Sequence, residues 1–260
     1  MSITTKLFDL TGQVALLTGS SKGMGKSMAM ALAEHGSKVV ISSRKQDQCE
    51  ATAEEINAAV GEERAIAIAC NIGYKEQLQA LVDETRSRLG PINTLISNAG
   101  VNPFYGPMSE IPDEAFEKTM NSNLRSNHWL CQMVAPDMLE RGQGSIMITA
   151  SVGAFGPSET LGTYNISKMA DIALVRNLAA EWGPKGIRVN ALCPGLIKTD
   201  FAKALWDNPE ASKRATEQTP LRRFGEADDF MGIAVYIASD ASAYVTGQAL
   251  TICGGTHMFR

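Results

Sequence analysis

Short runs of aliphatic and β-branched residues recur along the chain at 13–18, 38–43, 65–69, 94–97, 145–149, 188–192 and 249–252. Most are continuous rather than alternating, QVALLT and KVVIS among them, which is the pattern of parallel strands covered on both faces. Between them lie longer stretches with apolar residues at helical spacing, at 25–34, 46–60, 75–89, 113–139, 164–182 and 227–239. Gly36, Gly61, Gly90-Pro91 and Gly183-Pro184 stand at the ends of four of these, where helices stop. Strand, helix, next strand, repeated from end to end, predicts an α/β fold. The expected architecture is a doubly wound parallel sheet flanked by helices on both faces, with right-handed crossovers. No proline-, serine- or charge-rich linker and no internal repeat divides residues 1–260, so one domain is expected.

Composition narrows the function classes. At 44% hydrophobic and 20% charged, the 260 residues read as an ordinary globular chain. A net charge of −4 gives no support to nucleic-acid or membrane-surface partners. The five cysteines are scattered, with no CxxC pair, and only three histidines are present. No metal site or disulfide framework is therefore expected, and a reducing compartment fits. No apolar run approaches the roughly 20 residues that span a bilayer. The N-terminal MSITTKLFDL lacks the layout of a signal peptide and the closing HMFR matches no peroxisomal or reticulum address, so the expected compartment is the cytoplasm.

Candidate chemistry begins at the tip of the first strand. There Gly19-Ser20-Ser21-Lys22-Gly23-Met24-Gly25 leads into a helix. Glycines permit a tight turn and close backbone approach, and the helix N-terminus offers free N–H groups and a positive dipole to a dinucleotide pyrophosphate. Strand, turn and helix fall in the order a Rossmann-like site requires. The second strand ends in Ser43-Arg44, with no carboxylate to meet ribose hydroxyls. Lys22 and Arg44 with a neutral hydroxyl suit a 2′-phosphate, so NADP(H) is the expected cofactor.

Tyr164 and Lys168, in Y-N-I-S-K, stand four residues apart and share one helix face. An ammonium beside a phenol stabilises the phenolate and so makes the hydroxyl a better proton donor. Ser151, just past the strand SIMIT, is placed to hydrogen-bond a substrate carbonyl oxygen. Together these point to hydride transfer to or from a carbonyl, with the protein supplying the proton.

These motifs, with S-N-A-G (97–100) and C-P-G-L-I-K-T (193–199), resemble the short-chain dehydrogenase/reductase family in order and across nearly the whole chain. Within it, VVISSRKQ, NAGVNPFYG and PGLIKTDF resemble NADPH-dependent carbonyl and retinal reductases and their bacterial relatives. The resemblance implies that Asn98 braces the central strand near the adenosine ribose, with Gly100 beside it. It implies that Asn123 holds a water linking Lys168 to solvent, making Asn123, Ser151, Tyr164 and Lys168 the catalytic set. Pro194, Gly195, Ile197 and Thr199 would meet the nicotinamide, and Asn71 and Ile72 the adenine. Asn71 stands where an aspartate is common, and Cys253 precedes the paired glycines where an aspartate is also usual. A homotetramer is implied as well, with 113–139 and 164–182 as the expected dimer surface.

Specificity is expected in a lid over 199–218, where Phe201, Leu205 and Trp206 form an apolar stripe. Phe104, Tyr105 and Phe155 would form the facing wall. The expected function is therefore an NADPH-dependent carbonyl reductase, reversible toward alcohols, acting on hydrophobic or aromatic ketones, aldehydes or diketones. The alternatives are a 3-oxoacyl-carrier-protein reductase and a non-catalytic NADP-binding sensor.

Overall fold

The computed structural model describes residues 2–199, 206–207 and 209–258. Its strands are β1 (Val14–Thr18), β2 (Lys38–Ser42), β3 (Ala65–Ala67), β4 (Thr94–Ser97), β5 (Gly144–Thr149), β6 (Ile187–Pro194) and β7 (Ala249–Ile252). Among the described residues they form one seven-stranded sheet, ordered β3-β2-β1-β4-β5-β6-β7 and parallel at every pairing. The described helices are α1 (Ile3–Leu7), α2 (Gly23–Glu34), α3 (Gln46–Val60), α4 (Lys75–Leu89), α5 (Asp113–Met120), α6 (Ser126–Arg141), α7 (Gly162–Trp182), α8 (Pro209–Gln218) and α9 (Met231–Ala238).

Continuous apolar strands arise because successive side chains enter opposite cores. Val14 and Leu16 of β1 pack with Leu81 of α4, Val134 of α6 and Val175 of α7. Ala15 and Leu17 pack with Leu32 of α2, Ile56 of α3 and Val235 of α9. The sheet is thus sandwiched, and each fully buried Leu, Ile or Val contributes roughly 1.5–3 kcal/mol relative to exposure.

The order of strands reverses between β1 and β4, which opens a crevice beyond their carboxyl ends. Thr18 Oγ1 closes its floor by accepting from the backbone N–H of Asn98 at 3.1 Å and of Ala99 at 3.2 Å.

Three elements differ from the sequence pattern. The expected helix over 113–139 is interrupted by a π turn at Asn121–Arg125. There the N–H of Ser126 reaches back five residues to the Asn121 carbonyl, and the fully buried Asn123 side chain leaves the helix line to bond elsewhere. The expected helix over 227–239 begins as a 3₁₀ turn, Ala227–Phe230, closed by a reciprocal cap between Glu226 and Asp229. Finally, α7 starts at Gly162, two residues before Tyr164.

Candidate active site

The glycine turn is shaped by crowding. Gly19 has φ +63°, and a Cβ there would lie 2.9 Å from Ala99 Cα, so the backbone of β1 and that of β4 close on each other. Gly25 faces the Gly19 carbonyl so closely that any side chain would overlap it. The Asn98 amide occupies the same corner, with Nδ2 donating to Gly19 O at 3.1 Å and Oδ1 accepting from Thr149 Oγ1 at 3.3 Å. Asn98 therefore ties the turn after β1 to the end of β5. Ser20 looks inward: its hydroxyl donates to Leu17 O and accepts from Ser42 N, both at 2.9 Å, which locks the tips of β1 and β2. Ser21 offers its carbonyl to Thr52 Oγ1 at 2.9 Å. Met24 packs partly against the core. A helix N-terminus that no side chain caps, at Lys22, faces the crevice. Across it, Thr199 Cγ2 would lie 3.4 Å from a Cβ on Gly23, so the two loops bound one narrow groove. This cradle, kept clear of side chains at Gly19, Gly23 and Gly25 and fronted by the uncapped N–H groups of α2, fits a dinucleotide.

At the tip of β2, Lys22 and Arg44 are both exposed, and the half-buried Ser43 hydroxyl lies 3.2 Å from Cys49 Sγ. Beyond β3, Asn71 Oδ1 caps its own turn by accepting from Gly73 N at 3.1 Å, and Ile72 packs partly on the core.

The loop after β6 is pinned at two levels. Gly195 N donates to Ile252 O at 3.0 Å, and Lys198 N donates to Gly225 O at 2.9 Å. Pro194 ends the strand, while the Ile197 side chain is buried against Gly225. Thr199 O accepts from Trp206 Nε1 at 2.9 Å, and Lys198 Nζ stands 5.8 Å from the Trp206 ring centroid. Trp206 thus ties the first half of the expected lid back to the loop that precedes it. Phe201 and Leu205 lie outside the described residues.

On the other side, Ser151 begins a 3₁₀ turn, Val152–Phe155, and its Oγ accepts from Gly153 N at 3.1 Å. That turn is stitched to α7 beside Tyr164, because Asn165 Nδ2 donates to Gly156 O at 3.3 Å. Lys168 is buried, its Nζ 5.8 Å from the Tyr164 ring centroid and donating to Thr149 O at 2.8 Å. Gly100 lies against the same ammonium, which a Cβ there would meet at 3.5 Å. Asn123 joins the loop after β4 to α7: its amide accepts from Val101 N at 2.8 Å and donates to Val101 O at 2.9 Å and Ser167 Oγ at 3.0 Å. The crevice therefore brings Ser151, Tyr164, Lys168 and Asn123 to the same sheet edge as the glycine turn.

Two features lie beyond the sequence reading. Asp171 forms a buried ion pair with Lys168, Oδ2 to Nζ at 3.2 Å. Burial pushes its carboxyl above the usual range, opposed by the Lys168 ammonium and the Asn127 amide. An aspartate at the third position after a lysine on an otherwise apolar face was the available signal. The second is His257, stacked on Phe155 at 4.5 Å and 14°, which places the segment after β7 on the expected substrate wall. Phe104 is half-buried against Gly106, and Tyr105 is mostly exposed. No group of three metal-ligating side chains occurs among the described residues, nor any helix long and apolar enough to cross a membrane.

Known proteins share this chain's sequence and fold. A family model described as enoyl-(acyl carrier protein) reductase matches residues 19–257. Dehydrogenase/reductase SDR family member 4 of Homo sapiens is 39% identical over 255 residues, covering 97% of this chain and 90% of that protein. Among solved structures, a gluconate 5-dehydrogenase from Burkholderia cenocepacia J2315, in complex with NADP and tartrate, superposes with a TM-score of 0.92 at 32% identity, over 97% of this chain and 98% of that one. A 7α-hydroxysteroid dehydrogenase complexed with NADH and 7-oxo glycochenodeoxycholic acid gives 0.92 at 35% identity, over 98% of each chain.

Proposed function

Given that the chain belongs to the short-chain dehydrogenase/reductase family of oxidoreductases, we propose that it is an NADPH-dependent carbonyl reductase, reversible toward the alcohol. The observation that carries this reading is the Tyr164–Lys168 pair, with a buried ammonium 5.8 Å from the phenol ring, set beside the Ser151 turn.

When bound in the crevice, the nicotinamide cofactor supplies or accepts the hydride. Tyr164 donates its phenolic proton to the carbonyl oxygen as the C–H bond forms, and recovers it in the reverse direction. Ser151 donates a hydrogen bond to the same oxygen and shares its developing charge. Lys168 stabilises the phenolate and holds the ribose hydroxyls. Asn123 keeps the loop after β4 fixed against α7. Gly19 to Met24, Asn98 and Gly100 bind the dinucleotide from one side and Pro194 to Thr199 from the other. Lys22, Ser43 and Arg44 take the 2′-phosphate, while Asn71 and Ile72 flank the adenine. Phe104, Phe155 and Trp206 wall the substrate, which favours hydrophobic or aromatic ketones, aldehydes and diketones. A relative solved with NADP and another with NADH support a nicotinamide cofactor.

The test is loss of 340 nm absorbance with NADPH or NADH against aromatic ketones, diketones, retinal and acetoacetyl thioesters. Turnover with NADPH on free carbonyls is expected. Tyr164→Phe is expected to lose roughly 10²–10⁴ in turnover while still binding cofactor. Full activity in that variant, or turnover of carrier-bound thioesters alone, would overturn the reading.

A further inference from the structure

Asp171 lies three residues along α7 from Lys168, is fully buried, and takes no part in the chemistry above. Its Oδ2 meets Lys168 Nζ at 3.2 Å, and its Oδ1 accepts from Asn127 Nδ2 at 2.8 Å. Asn127 is itself held from two sides. Its Oδ1 accepts from Ser97 Oγ at 2.6 Å, and its Nδ2 also donates to the Asn123 carbonyl inside the π turn. A continuous chain of buried polar groups therefore runs from the end of β4, through α6 and the π turn, to the ammonium.

An ammonium has three N–H donors. Thr149 O takes one from Lys168 and Asp171 takes a second. One remains for the side of the crevice where Tyr164 and the ribose would stand. A buried ion pair is an expensive way to add stability, since desolvation offsets much of the attraction. Its worth here lies in the direction and field it imposes on one lysine.

We propose that Asp171 is a positioning residue: it fixes the Lys168 ammonium, and its negative charge sets how much of that ammonium's field reaches Tyr164. The proposal rests on the reading of Tyr164 and Lys168 given under Proposed function. The titratable groups facing Asp171 are Lys168 on α7, Cys131 on α6 and Cys193 on β6, and Tyr164 is reached through Lys168. Burial, with a contribution from Asp171, pushes the Cys131 thiol up to about 12. Cys193 is likewise pushed up to about 12, chiefly by burial. Neither thiol exchanges a proton with the pair near neutral pH, so a change at Asp171 reports through Lys168 and Tyr164.

The test compares wild-type protein with Asp171→Asn and Asp171→Leu. It measures the Kd of whichever of NADPH and NADH the wild type binds, by fluorescence titration, and the pH profile of alcohol oxidation between pH 5 and 10. In Asp171→Asn the ammonium is less well held and its field is no longer partly cancelled. Cofactor Kd is expected to rise at least fivefold, kcat to fall at least tenfold, and the acidic limb of the oxidation profile to move to lower pH by at least half a unit. A folded Asp171→Asn protein with the wild-type Kd and profile would overturn the proposal. If neither Asp171 variant folds, Asn127→Ser frees Oδ1 while keeping the ion pair; it is expected to shift Kd and profile in the same directions by less. Wild-type values in Asn127→Ser would then overturn the proposal. A wild-type protein that binds neither nucleotide defeats the oxidoreductase reading and this inference together, whereas cofactor binding indifferent to Asp171 defeats this inference alone.

Discussion

Arg44 and Lys22 carry the proposed preference for NADPH over NADH. Both are exposed at the rim of the crevice, where strands β1 and β2 end. A guanidinium that meets a 2′-phosphate does nothing for a ribose hydroxyl that lacks it. Arg44→Ala is expected to raise the Kd for NADPH about tenfold and leave that for NADH within about twofold, since one charge-assisted contact of roughly 1.5 kcal/mol is lost. Parallel fluorescence titrations check it, and an equal loss for both nucleotides would mark Arg44 as a general structural residue. In the candidate site, the glycine turn and the Tyr164–Lys168 pair were legible at this scale because spacing along the chain alone sets their proximity. Ser20 was legible as part of the turn, but not as the bolt between β1 and β2, because a hydroxyl's partner three residues back and twenty-two ahead leaves no pattern in the chain. For Asp171 the spacing from Lys168 was the one signal, and its link to Asn127 left none, because Asn127 lies on a different helix and only folding brings them together.

At the scale of elements, the strands were legible because both faces are buried, which makes their apolar runs continuous. The π turn was not, because polar residues such as those in Asn121–Arg125 do not separate a π turn from an ordinary helical turn, and its extra residue is set by where Asn123 must reach. Helix α8 was expected only as part of a lid, its sequence PEASKRATEQ being too polar to predict a packed face. The short 3₁₀ turn before α9 illustrates an element held by electrostatics. Arg223 donates two hydrogen bonds to Asp229, at 2.6 and 2.8 Å, while the Glu226 N–H donates to the same carboxylate at 2.8 Å. The Arg223 hydrogen bonds, then that of Glu226, hold the Asp229 carboxyl down at about 2. A depressed carboxyl stabilises the fold above its unfolded value near 4 and loses that contribution as pH falls toward 2. Asp229→Asn is therefore expected to lower the melting temperature by roughly 2–4 °C at pH 7. The gap from wild type should shrink between pH 4 and pH 2, and a constant gap in thermal melts across that range would refute the assignment.

For the whole molecule, the scattered cysteines acquire distinct fates. Cys49, Cys70, Cys131 and Cys193 are buried among the described residues, and burial pushes Cys70 up to about 11 and Cys131 and Cys193 to about 12. Cys253 is half-exposed; burial works against its thiolate, but the backbone N–H of His257, the Thr256 hydroxyl and the backbone N–H groups of Gly255 and Thr256 together outweigh it and hold the thiol below its ordinary value. Native protein at pH 8 is expected to present one fast-reacting thiol to an aromatic disulfide reagent, and five once denatured. More than one fast thiol in the native state would mean that a buried cysteine becomes accessible. The sheet order has a further consequence, for biosynthesis. Strand β1 can complete its pairing only with β4, Ala15 against Thr94, so the crevice has no second wall until nearly a hundred residues have left the ribosome. The Tyr164–Lys168 pair follows later still on α7, and β6 keeps an open edge until β7 is made. A nascent chain stalled between these points displays bare parallel strand edges, and non-local pairing of this kind is slow. Synthesis of this protein is therefore a race in which the last four-residue strand closes the sheet, and chaperone dependence should fall sharply once residue 252 is free to dock.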